Sequence, residues 1–417
     1  MTARRKGGQF LSLFRKDFLM AVNTINDKVK ERIRFPISDA ELERRYSLIS
    51  AAMKEQDIDI VIASNDNMYL GGYVRYFLDI PGENAYAISS VFTKDGDLFS
   101  ISTNNPATPL PPEWCARQIK ERLAVAYFRT LDYTGTYDAS IMVDIAKRVG
   151  AKKIGLIAPN ILGSTMVDYI RENSGAVVVN FTRAIDEIKA VKSEEELGRV
   201  WQSADMHDRG FDYVKSILKP GMYEYELRAL VRAWLVMEGS EEQLIMMGSA
   251  TGGTWTPFGT SYYHGRQIQE GDDLLFMIEA NGPGGYYTEV GRTFCLNEPS
   301  QALVDIWETS KRIQHELAVA LKPGVKISDM HKMYDRLVLE AGFPKERRLL
   351  MHGQGYDLVE WPGTQADDEG IIKEGMVYAV HPHLNNELAS GYCCDDYLVT
   401  KDGCVRMHKH PQELVLV

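Results

Sequence analysis

Helix-like and strand-like segments alternate along the chain from Pro36 onward, and from about residue 186 strand patterns and glycines become more frequent. In the first part, amphipathic helical patterns separate short apolar strand patterns. The strand patterns cover residues 58–63, 85–92, 98–101, 153–158 and 176–180. The helical patterns cover residues 38–55, 138–149 and 164–173. Alternation of this kind predicts an α/β domain over residues 36–185, which is an ordinary domain size.

From residue 186 the chain is richer in strand patterns and in glycine. A capping box formed by Ser193 and Glu196 predicts the start of a long helix. Further helical patterns cover residues 224–238, 301–321 and 327–341. Strand patterns cover residues 274–278, 286–294, 377–380 and 397–400. The sequence therefore predicts a second domain, of the α+β class, over residues 186–417.

The overall charge argues against nucleic acid as a partner. Lysine and arginine number 47 against 58 aspartate and glutamate residues, for a formal net charge of -11, so the chain has no basic field to hold a phosphate backbone. The five cysteines are odd in number and form no CxxC pair, which is typical of a reducing compartment. We therefore expect a cytoplasmic protein.

The first 35 residues form a basic arm with a short amphipathic pattern. The arm has no apolar stretch long enough for a secretory signal or for a bilayer span of about 20 residues, so we expect no membrane partner. Its apolar residues recur at near-helical spacing, which predicts a short helix that packs on a second subunit. The sequence thus favours a homodimer over attachment to a membrane surface.

Two acidic side chains lie on the two strands of a predicted hairpin in the second domain. Glu279 ends an apolar strand, and Glu289 follows ten residues later, after a glycine-rich turn at residues 281–285. Because the two strands of a hairpin run side by side, they can present both carboxylates to one pocket.

Imidazole and further acidic side chains follow in strand-like surroundings. His352 lies in the segment MHGQG, where glycines let the backbone pass close to a ligand. His381 and His383 are two residues apart, so both point to the same face of an extended segment. Asp395 and Asp396 come last. Ionisable groups that converge in this way predict a catalytic pocket in the second domain.

These motifs resemble those of the creatinase, prolidase and methionine aminopeptidase superfamily, the pita-bread enzymes. The matching segments read IKAVKS at residues 188–193, GD at 271–272, GYYTEVGRTF at 285–294, HGQG at 352–355, EGMV at 374–377 and HP at 381–382. The resemblance covers about 380 residues, a size that fits two ordinary domains. It implies a creatinase-like α/β N-terminal domain and an α+β pita-bread C-terminal catalytic domain.

The metal-binding positions of the superfamily are altered in this chain. Metal-dependent members carry Asp, Asp, His, Glu and Glu around two divalent ions. The matching residues here are Glu279, Glu289, His352, His381 and Cys394. An imidazole in place of a bridging carboxylate leaves less negative charge to balance two dications, so the resemblance implies a degenerate metal site. The superfamily's second histidine is Val359 here, which argues against ordinary peptide hydrolysis.

Two interpretations of this pocket are compatible with the sequence. In the first, which the charge balance favours, the pocket needs no cofactor. It then hydrolyses a C–N bond of a small cationic metabolite, such as a guanidino or methylamine compound, as the resemblance to creatinase implies. In the second, the pocket holds one divalent Zn, Mn or Fe ion. The candidate ligands are then Glu279, Glu289, His352, His381 and Asp395.

Catalytic roles follow from the resemblance and from side-chain chemistry. His352 is the first candidate for the general acid and base, because an imidazole with a pKa of about 6.5 exchanges protons at neutral pH. His381 is the second candidate, and Glu289 would orient water or a cationic substrate. The superfamily's other catalytic histidine aligns with Thr260, while His264 lies four residues further on and is the alternative.

A second set of residues is predicted to bind the substrate. Its aromatic members are suited to a cage around a cation, and its arginine is suited to a two-pronged bond with a carboxylate. The set comprises Glu279, Arg75, Tyr286, Tyr287, Glu360, Trp361 and His383.

The sequence therefore predicts a hydrolase that acts on the C–N bond of a small molecule, in a cytoplasmic homodimer. Three alternatives remain open: a metal-dependent Xaa-Pro-type peptidase, a pita-bread lyase that cleaves a C–S or C–N bond, and a pita-bread domain that has lost catalysis and only binds a partner. Retention of ionisable groups at the pocket positions favours the enzymes over the binding module.

Overall fold

The computed structural model of the chain describes residues 35–65, 67–128, 130–259 and 265–417. The chain divides into two compact units, Met1–Lys189 and Ala190–Val417. Of the predicted basic arm, residues 1–35, only Phe35 is among the described residues, so the predicted docking helix lies outside them. Within the described ranges, no helix is both long enough and apolar enough to span a lipid bilayer.

The first unit contains one mixed six-stranded sheet. Its strands are β1 (Ile60–Asn65), β2 (Ile88–Thr93), β3 (Leu98–Thr103), β4 (Ile119–Val125), β5 (Lys153–Leu156) and β6 (Val177–Asn180). The spatial order is β4-β3-β2-β1-β5-β6, and β1 pairs antiparallel with β2 and parallel with β5. Every residue of β1, β2 and β3 is buried, which is typical of strands covered on both faces.

Helices complete the first unit. Among the described residues they are α1 (Asp39–Glu55), α2 (Gly72–Leu78), α3 (Tyr137–Arg148), α4 (Pro159–Leu162), α5 (Ser164–Asn173) and α6 (Thr182–Ala190). Ser38 caps α1, because its Oγ accepts a hydrogen bond from the N–H of Glu41 at 3.1 Å. Met142 of α3 and Ile170 of α5 belong to the same buried apolar cluster as Ile62 of β1. The predicted α/β class of this domain is confirmed.

The second unit combines two larger sheets and a short strand pair. Its strands are β7 (Gln243–Thr251), β8 (Asp272–Asn281), β9 (Tyr287–Cys295), β10 (Met351–Gly353), β11 (Glu360–Gly363), β12 (Val377–Val380), β13 (His383–Asn385), β14 (Ser390–Tyr392), β15 (Asp395–Thr400), β16 (Gly403–Arg406) and β17 (Val415–Leu416). One sheet has the order β17-β9-β8-β7, the other has the order β11-β10-β12-β15-β16, and β13 pairs with β14.

Four helices cover the two larger sheets: α7 (Glu194–Ile217), α8 (Glu224–Glu238), α9 (Gln301–Ala320) and α10 (Ile327–Glu340). The predicted capping box at the start of α7 is confirmed, because Ser193 Oγ accepts from the Glu196 N–H at 3.2 Å and Glu196 Oε2 accepts from the Ser193 N–H at 2.8 Å. Phe211 of α7 shares an apolar cluster with Phe276 of β8. A second cluster joins α9 and α10 to the five-stranded sheet, so the predicted α+β class is also confirmed.

The two sheets of the second unit meet where β9 approaches the start of β15. The N–H of Gly291 donates to the carbonyl oxygen of Cys394 at 3.2 Å. A Cβ atom at position 291 would lie 2.2 Å from a ring carbon of Tyr392, so only glycine permits this approach. The contact brings β9, which carries Glu289, against the five-stranded sheet.

Candidate functional site

Glu279 and Glu289 are directly opposite each other in the four-stranded sheet. β8 and β9 are antiparallel, and the two residues are register partners, so their carboxyl groups extend from neighbouring positions on one face. Both side chains are buried. Burial, together with the negative charges of Glu289 and Asp396, raises the pKa of Glu279 well above its ordinary value.

Two histidines from the five-stranded sheet meet Glu289. His352 is the middle residue of β10, and His381 directly follows β12, whose Val380 pairs with Met351. His352 Nε2 lies 3.5 Å from Glu289 Oε2, and the two imidazole rings are 5.2 Å apart between centroids. One ligand atom from each of Glu289, His352 and His381 lies within 4.8 Å of the other two. We call these three residues the donor cluster.

The surroundings of His352 determine which ring nitrogen faces the donor cluster. Nδ1 lies 3.0 Å from the carbonyl oxygen of Gly353, and because a carbonyl only accepts, Nδ1 carries a proton and donates it. Nε2 faces Glu289 and offers a lone pair when the ring is neutral. Burial alone would lower the pKa of His352, but the hydrogen bond to Glu289 and its negative charge outweigh burial and raise that pKa.

His381 and Glu289 have the charge states that a metal site requires. Burial lowers the pKa of His381 to about 4, although the charge of Glu289 opposes this change, so the imidazole is neutral at pH 7. Burial opposes ionisation of Glu289, but His381, His352 and a hydrogen bond from Tyr392 hold its pKa far below the ordinary value. The donor cluster therefore offers one carboxylate and imidazole nitrogens in a buried setting.

Donors of this kind fit one divalent transition-metal ion. Two imidazoles and a carboxylate suit Zn, Mn or Fe, and three protein ligands leave one position open for water or substrate. His381 Nδ1 is buried and has no hydrogen-bond partner among the described residues, which is costly unless a further group binds it. Glu279 does not belong to the donor cluster. The geometry therefore fits one metal ion better than two.

A tyrosine that the sequence did not identify contacts the donor cluster. Tyr392, at the end of β14, donates from its hydroxyl to Glu289 Oε1 at 2.5 Å, which leaves Oε2 of Glu289 to face His352. The tyrosine is buried. No motif marks it; the available sequence signal is its position two residues before Cys394, the altered ligand position.

The residues after Tyr392 have different surroundings. Cys394 Sγ lies 3.8 Å from the carbonyl oxygen of Glu289, and burial raises the pKa of its thiol well above the ordinary value. Asp395, a candidate ligand from the sequence, instead accepts a hydrogen bond from Arg292 Nη2 at 2.7 Å, and both side chains are fully buried. Asp395 therefore belongs to an ion pair and lies outside the donor cluster.

The two tyrosines predicted to bind substrate have partners within the fold. Tyr286 donates from its hydroxyl to Glu196 at 2.9 Å, and the N–H of Tyr287 donates to the carbonyl oxygen of Gly355 at 2.7 Å. Both rings are buried. These bonds hold the start of β9 against α7 and against the HGQG segment.

Two further candidates for substrate binding are also engaged. Glu360 forms a buried ion pair with Lys192 at 2.9 Å, and Trp361 Nε1 donates to Asp368 at 2.7 Å. The Lys192 side chain comes from the IKAVKS segment that carries part of the resemblance. That motif therefore serves here to anchor the strand that follows the HGQG segment.

His383 is the substrate-binding candidate beside Tyr392. Its ring lies 5.5 Å from that of Tyr392 and 5.7 Å from that of Phe258 between centroids. Burial lowers the pKa of His383 to about 3, and its Nε2 has no hydrogen-bond partner among the described residues. A neutral imidazole edge is thus available close to the donor cluster.

The remaining candidates lie elsewhere in the chain. Arg75 lies on α2 in the first unit and is buried. Burial raises the pKa of Asp79 in the same unit, while Arg117 and Arg75 oppose that change. The predicted role of Arg75 in binding a carboxylate stays a prediction. The candidate His264 lies outside the described residues, as does the alternative position Thr260.

Comparisons with known proteins agree with this architecture. The model of a family described as "Metallopeptidase family M24" matches residues 198–407. The putative dipeptidase YkvY from Bacillus subtilis is 26% identical over 252 residues, which are 58% of this chain and 67% of YkvY. The Xaa-Pro dipeptidase from Pyrococcus horikoshii is 25% identical over 346 residues, which are 80% of this chain and 92% of that protein.

A solved structure shows the same fold. The prolidase from Pyrococcus horikoshii OT3 superposes with a TM-score of 0.73 at 19% sequence identity, covering 89% of this chain and all of that chain (100%). The predicted two-domain pita-bread architecture is therefore confirmed. The predicted membership of the wider superfamily is confirmed by the family match.

Two predictions about the chemistry are wrong. The favoured activity, creatinase-like hydrolysis of a guanidino or methylamine metabolite, is overturned because the matching relatives are named dipeptidases. The prediction that no cofactor is needed is overturned because the matching family is one of metallopeptidases. The sequence argument against a metal was that the pocket has too little negative charge to balance two dications. A single ion needs fewer ligands, and the donor cluster can supply them. The coarser prediction, a hydrolase of C–N bonds, is confirmed, because peptidases hydrolyse the C–N bond of an amide.

Proposed function

Because the chain belongs to metallopeptidase family M24, we propose that it is a metal-dependent peptidase acting on dipeptides, with Xaa-Pro dipeptides as its first candidate substrates. The names of the relatives support this choice, since they include a putative dipeptidase and an Xaa-Pro dipeptidase. The proposal replaces the metabolite hydrolase with the alternative that the sequence left open.

The donor cluster is the observation that carries the proposal. Glu289, His352 and His381 are buried, and their ligand atoms lie within 4.8 Å of one another. We propose that these three residues hold one divalent transition-metal ion. When bound, such an ion supplies Lewis acidity, which polarises a carbonyl oxygen and lowers the pKa of a water molecule.

Glu279 is the residue to which we assign proton transfer. Its carboxyl group faces Glu289 across the hairpin but lies outside the donor cluster, so it remains free for acid and base chemistry. Because its pKa is raised well above the ordinary value, Glu279 would carry a proton, give it to the amide nitrogen of the leaving amino acid and take up the proton of the attacking water. Gln354 supports this carboxyl group, since Nε2 of Gln354 lies 3.4 Å from Oε1 of Glu279.

Tyr392 and His383 have supporting roles in the proposal. The hydroxyl of Tyr392 fixes the rotamer of Glu289 by its hydrogen bond to Oε1. His383, whose Nε2 has no partner among the described residues, would donate to or accept from a polar group of the peptide. Arg75 remains our candidate for binding the substrate's carboxylate.

We also propose that the protein is a cytoplasmic homodimer. The five cysteines all lie in described ranges, and each is free, which supports a reducing compartment. Light scattering on the intact chain would test the dimer, since a single mass near the monomer value of 47.1 kDa would contradict it.

Metal analysis combined with a dipeptide panel tests the proposed activity. Protein purified without added metal, stripped with chelator and reconstituted with Zn²⁺, Mn²⁺ or Co²⁺ is expected to hold one ion per chain and to hydrolyse Xaa-Pro dipeptides. His381→Ala is expected to lose the ion. His315→Ala, which changes an exposed histidine on α9, is the matched control and is expected to keep it. No bound ion, or no hydrolysis of any dipeptide by the loaded protein, would contradict the proposal.

A further inference from the structure

A buried histidine connects two carboxylates behind the strand that carries Glu289. His408 Nε2 lies 3.2 Å from Asp396 Oδ2, and His408 Nδ1 lies 3.4 Å from Asp208 Oδ1. The side chains of His408 and Asp396 are fully buried, and that of Asp208, on α7, is 12% exposed. We call Asp208, His408 and Asp396 the histidine bridge.

The geometry of the histidine bridge favours a charged imidazole. Ionised carboxylates only accept hydrogen bonds, and each ring nitrogen of His408 faces one of them. Nε2 is within hydrogen-bond distance of Asp396, whereas Nδ1 makes no hydrogen bond among the described residues and lies within ion-pair distance of Asp208, so an imidazolium suits both neighbours better than a neutral tautomer does. In agreement, Asp208 and Asp396 outweigh the effect of burial and raise the pKa of His408 to about 9.

The other ionisable groups around His408 do not compete with this arrangement. The ring of His207 lies 6.1 Å away, and burial lowers its pKa to about 3. Its Nε2 accepts from the N–H of Ala280 at 3.2 Å, as a neutral ring requires. The charge of Asp395 is matched by Arg292. His408 is therefore the cation that balances Asp208 and Asp396.

Asp396 connects the histidine bridge to the donor cluster. The oxygen that faces His408, Oδ2, also accepts a hydrogen bond from the backbone N–H of Glu289 at 2.8 Å. The other oxygen, Oδ1, is buried and has no hydrogen-bond partner among the described residues. The orientation of the Asp396 carboxylate thus depends on His408 on one side and on the Glu289 backbone on the other.

We propose that His408 is a positioning residue for the metal site. Held by Asp208, it orients the Asp396 carboxylate, and Asp396 in turn fixes the backbone of Glu289 so that its carboxylate meets His352 and His381. This inference rests on the proposed metal site. Groups that orient a ligand in this way typically change metal affinity by about 10- to 100-fold when they are removed.

Metal titration of Asp208→Asn tests the inference in the intact chain. This variant removes the outer charge of the histidine bridge, keeps the shape of the side chain, and alters no residue that contacts the donor cluster. Competition with a chromophoric chelator is expected to show Co²⁺ binding weakened by about 10- to 100-fold. His315→Gln is the matched control, because His315 is an exposed histidine on α9 and lies outside the histidine bridge; we expect its Co²⁺ affinity to equal that of the wild type.

Nuclear magnetic resonance of the protein labelled with ¹⁵N at histidine measures the protonation of the His408 ring nitrogens directly. A change in overall stability alone does not alter this signal. At pH 8 the wild type is expected to show both ring nitrogens of His408 protonated, a signal assigned by its absence in His408→Gln. In Asp208→Asn the titration midpoint of His408 is expected to fall by about one pH unit.

The two readouts separate the possible failures. If the wild type binds Co²⁺ but Asp208→Asn binds it equally well, or if His408 is neutral at pH 8, the inference is overturned while the proposed function stands. If the wild type binds no Co²⁺, the proposed metal site is wrong and the inference is overturned with it.

Discussion

Strand β9 contributes one residue to each of two buried pairs, Arg292 with Asp395 and Glu289 with His352. The two pairs differ in how many of the surrounding polar atoms have hydrogen-bond partners. Arg292 and Asp395 form a pair that is fully enclosed. The remaining guanidinium hydrogens of Arg292 also have acceptors, which are the backbone carbonyl oxygens of Gly291, Cys394, His410 and Pro411. Three residues earlier on the same strand, Glu289 faces His352, and the adjacent His381 Nδ1 has no partner among the described residues.

This difference separates a structural pair from a functional one. A buried polar group whose hydrogen bonds are complete has nothing left to offer a ligand, whereas an incomplete set of donors and acceptors retains the capacity to bind one. Arginine also stays protonated at any physiological pH, while an imidazole can change its protonation state near neutrality. Alternation of side chains along one strand therefore allows a stabilising pair and a chemical site to lie within four residues.

The largest expected effect is on stability, and it comes from the satisfied pair. Arg292→Met leaves Asp395 buried without its main partner, and the loss of one member of a buried ion pair costs about 3–5 kcal/mol of unfolding free energy. Urea denaturation followed by circular dichroism would measure this change. Because both charges can be removed together at lower cost, the double variant Arg292→Met with Asp395→Asn is expected to recover part of the loss. Equal stability of the wild type and the single variant would contradict the comparison.

The donor cluster, whose hydrogen bonds are incomplete, is expected to stabilise the protein when it binds a metal ion. An ion that binds only the folded protein, supplied at about 100 times its dissociation constant, adds about 2.7 kcal/mol. For the second unit, Ala190–Val417, this corresponds to a rise in melting temperature of roughly 5–10 °C. The wild type is expected to show this rise with Zn²⁺, and Glu289→Gln is expected to show none. An equal rise in both proteins would place the ion elsewhere.

A smaller effect is expected from Tyr392, which supports the donor cluster without belonging to it. Tyr392→Phe removes the hydrogen bond to the charged Glu289, a type of bond that contributes about 1.5–3 kcal/mol, so metal affinity should fall roughly 10- to 100-fold. Tyr397→Phe is the matched control, because its hydroxyl lies 3.3 Å from Gln314 instead. Isothermal titration calorimetry would measure both variants, and equal losses would contradict the role of Tyr392.

The sequence carried enough information to predict the hairpin that pairs Glu279 with Glu289 and the place of His352 and His381. Strand periodicity and the glycine-rich turn define the hairpin locally, and β8 and β9 pair as antiparallel neighbours. The capping box at Ser193 is likewise local. Features that depend on residues close together in sequence were therefore accessible before the structure.

Features that depend on distant contacts were not. The contact of Tyr392 with Glu289 follows from the approach of the two sheets at Gly291, and the position of His408 between Asp208 and Asp396 joins residues about 200 positions apart. The strand β4 was missed because its residues are half-exposed and charged, so its pattern lacks the apolar signal of β1. The sequence also could not show which of Asp395 and Asp396 contacts Glu289. In the structure Asp396 accepts from the Glu289 N–H, whereas Asp395 pairs with Arg292.

A pH-dependent effect separates the histidine bridge from the arginine pair. The pKa of His408 is raised to about 9 in the folded protein from an ordinary value of about 6.5, so its contribution to stability is complete below pH 6.5 and is lost as the pH rises through 9. The stability gap between the wild type and His408→Gln should thus shrink by about 1 kcal/mol or more between pH 6.5 and 9.5. Arg292 stays charged over this range, so the gap for the double variant Arg292→Met with Asp395→Asn, which removes both charges of the arginine pair, should stay constant. If urea titrations show both gaps independent of pH, His408 is not the cation of the histidine bridge.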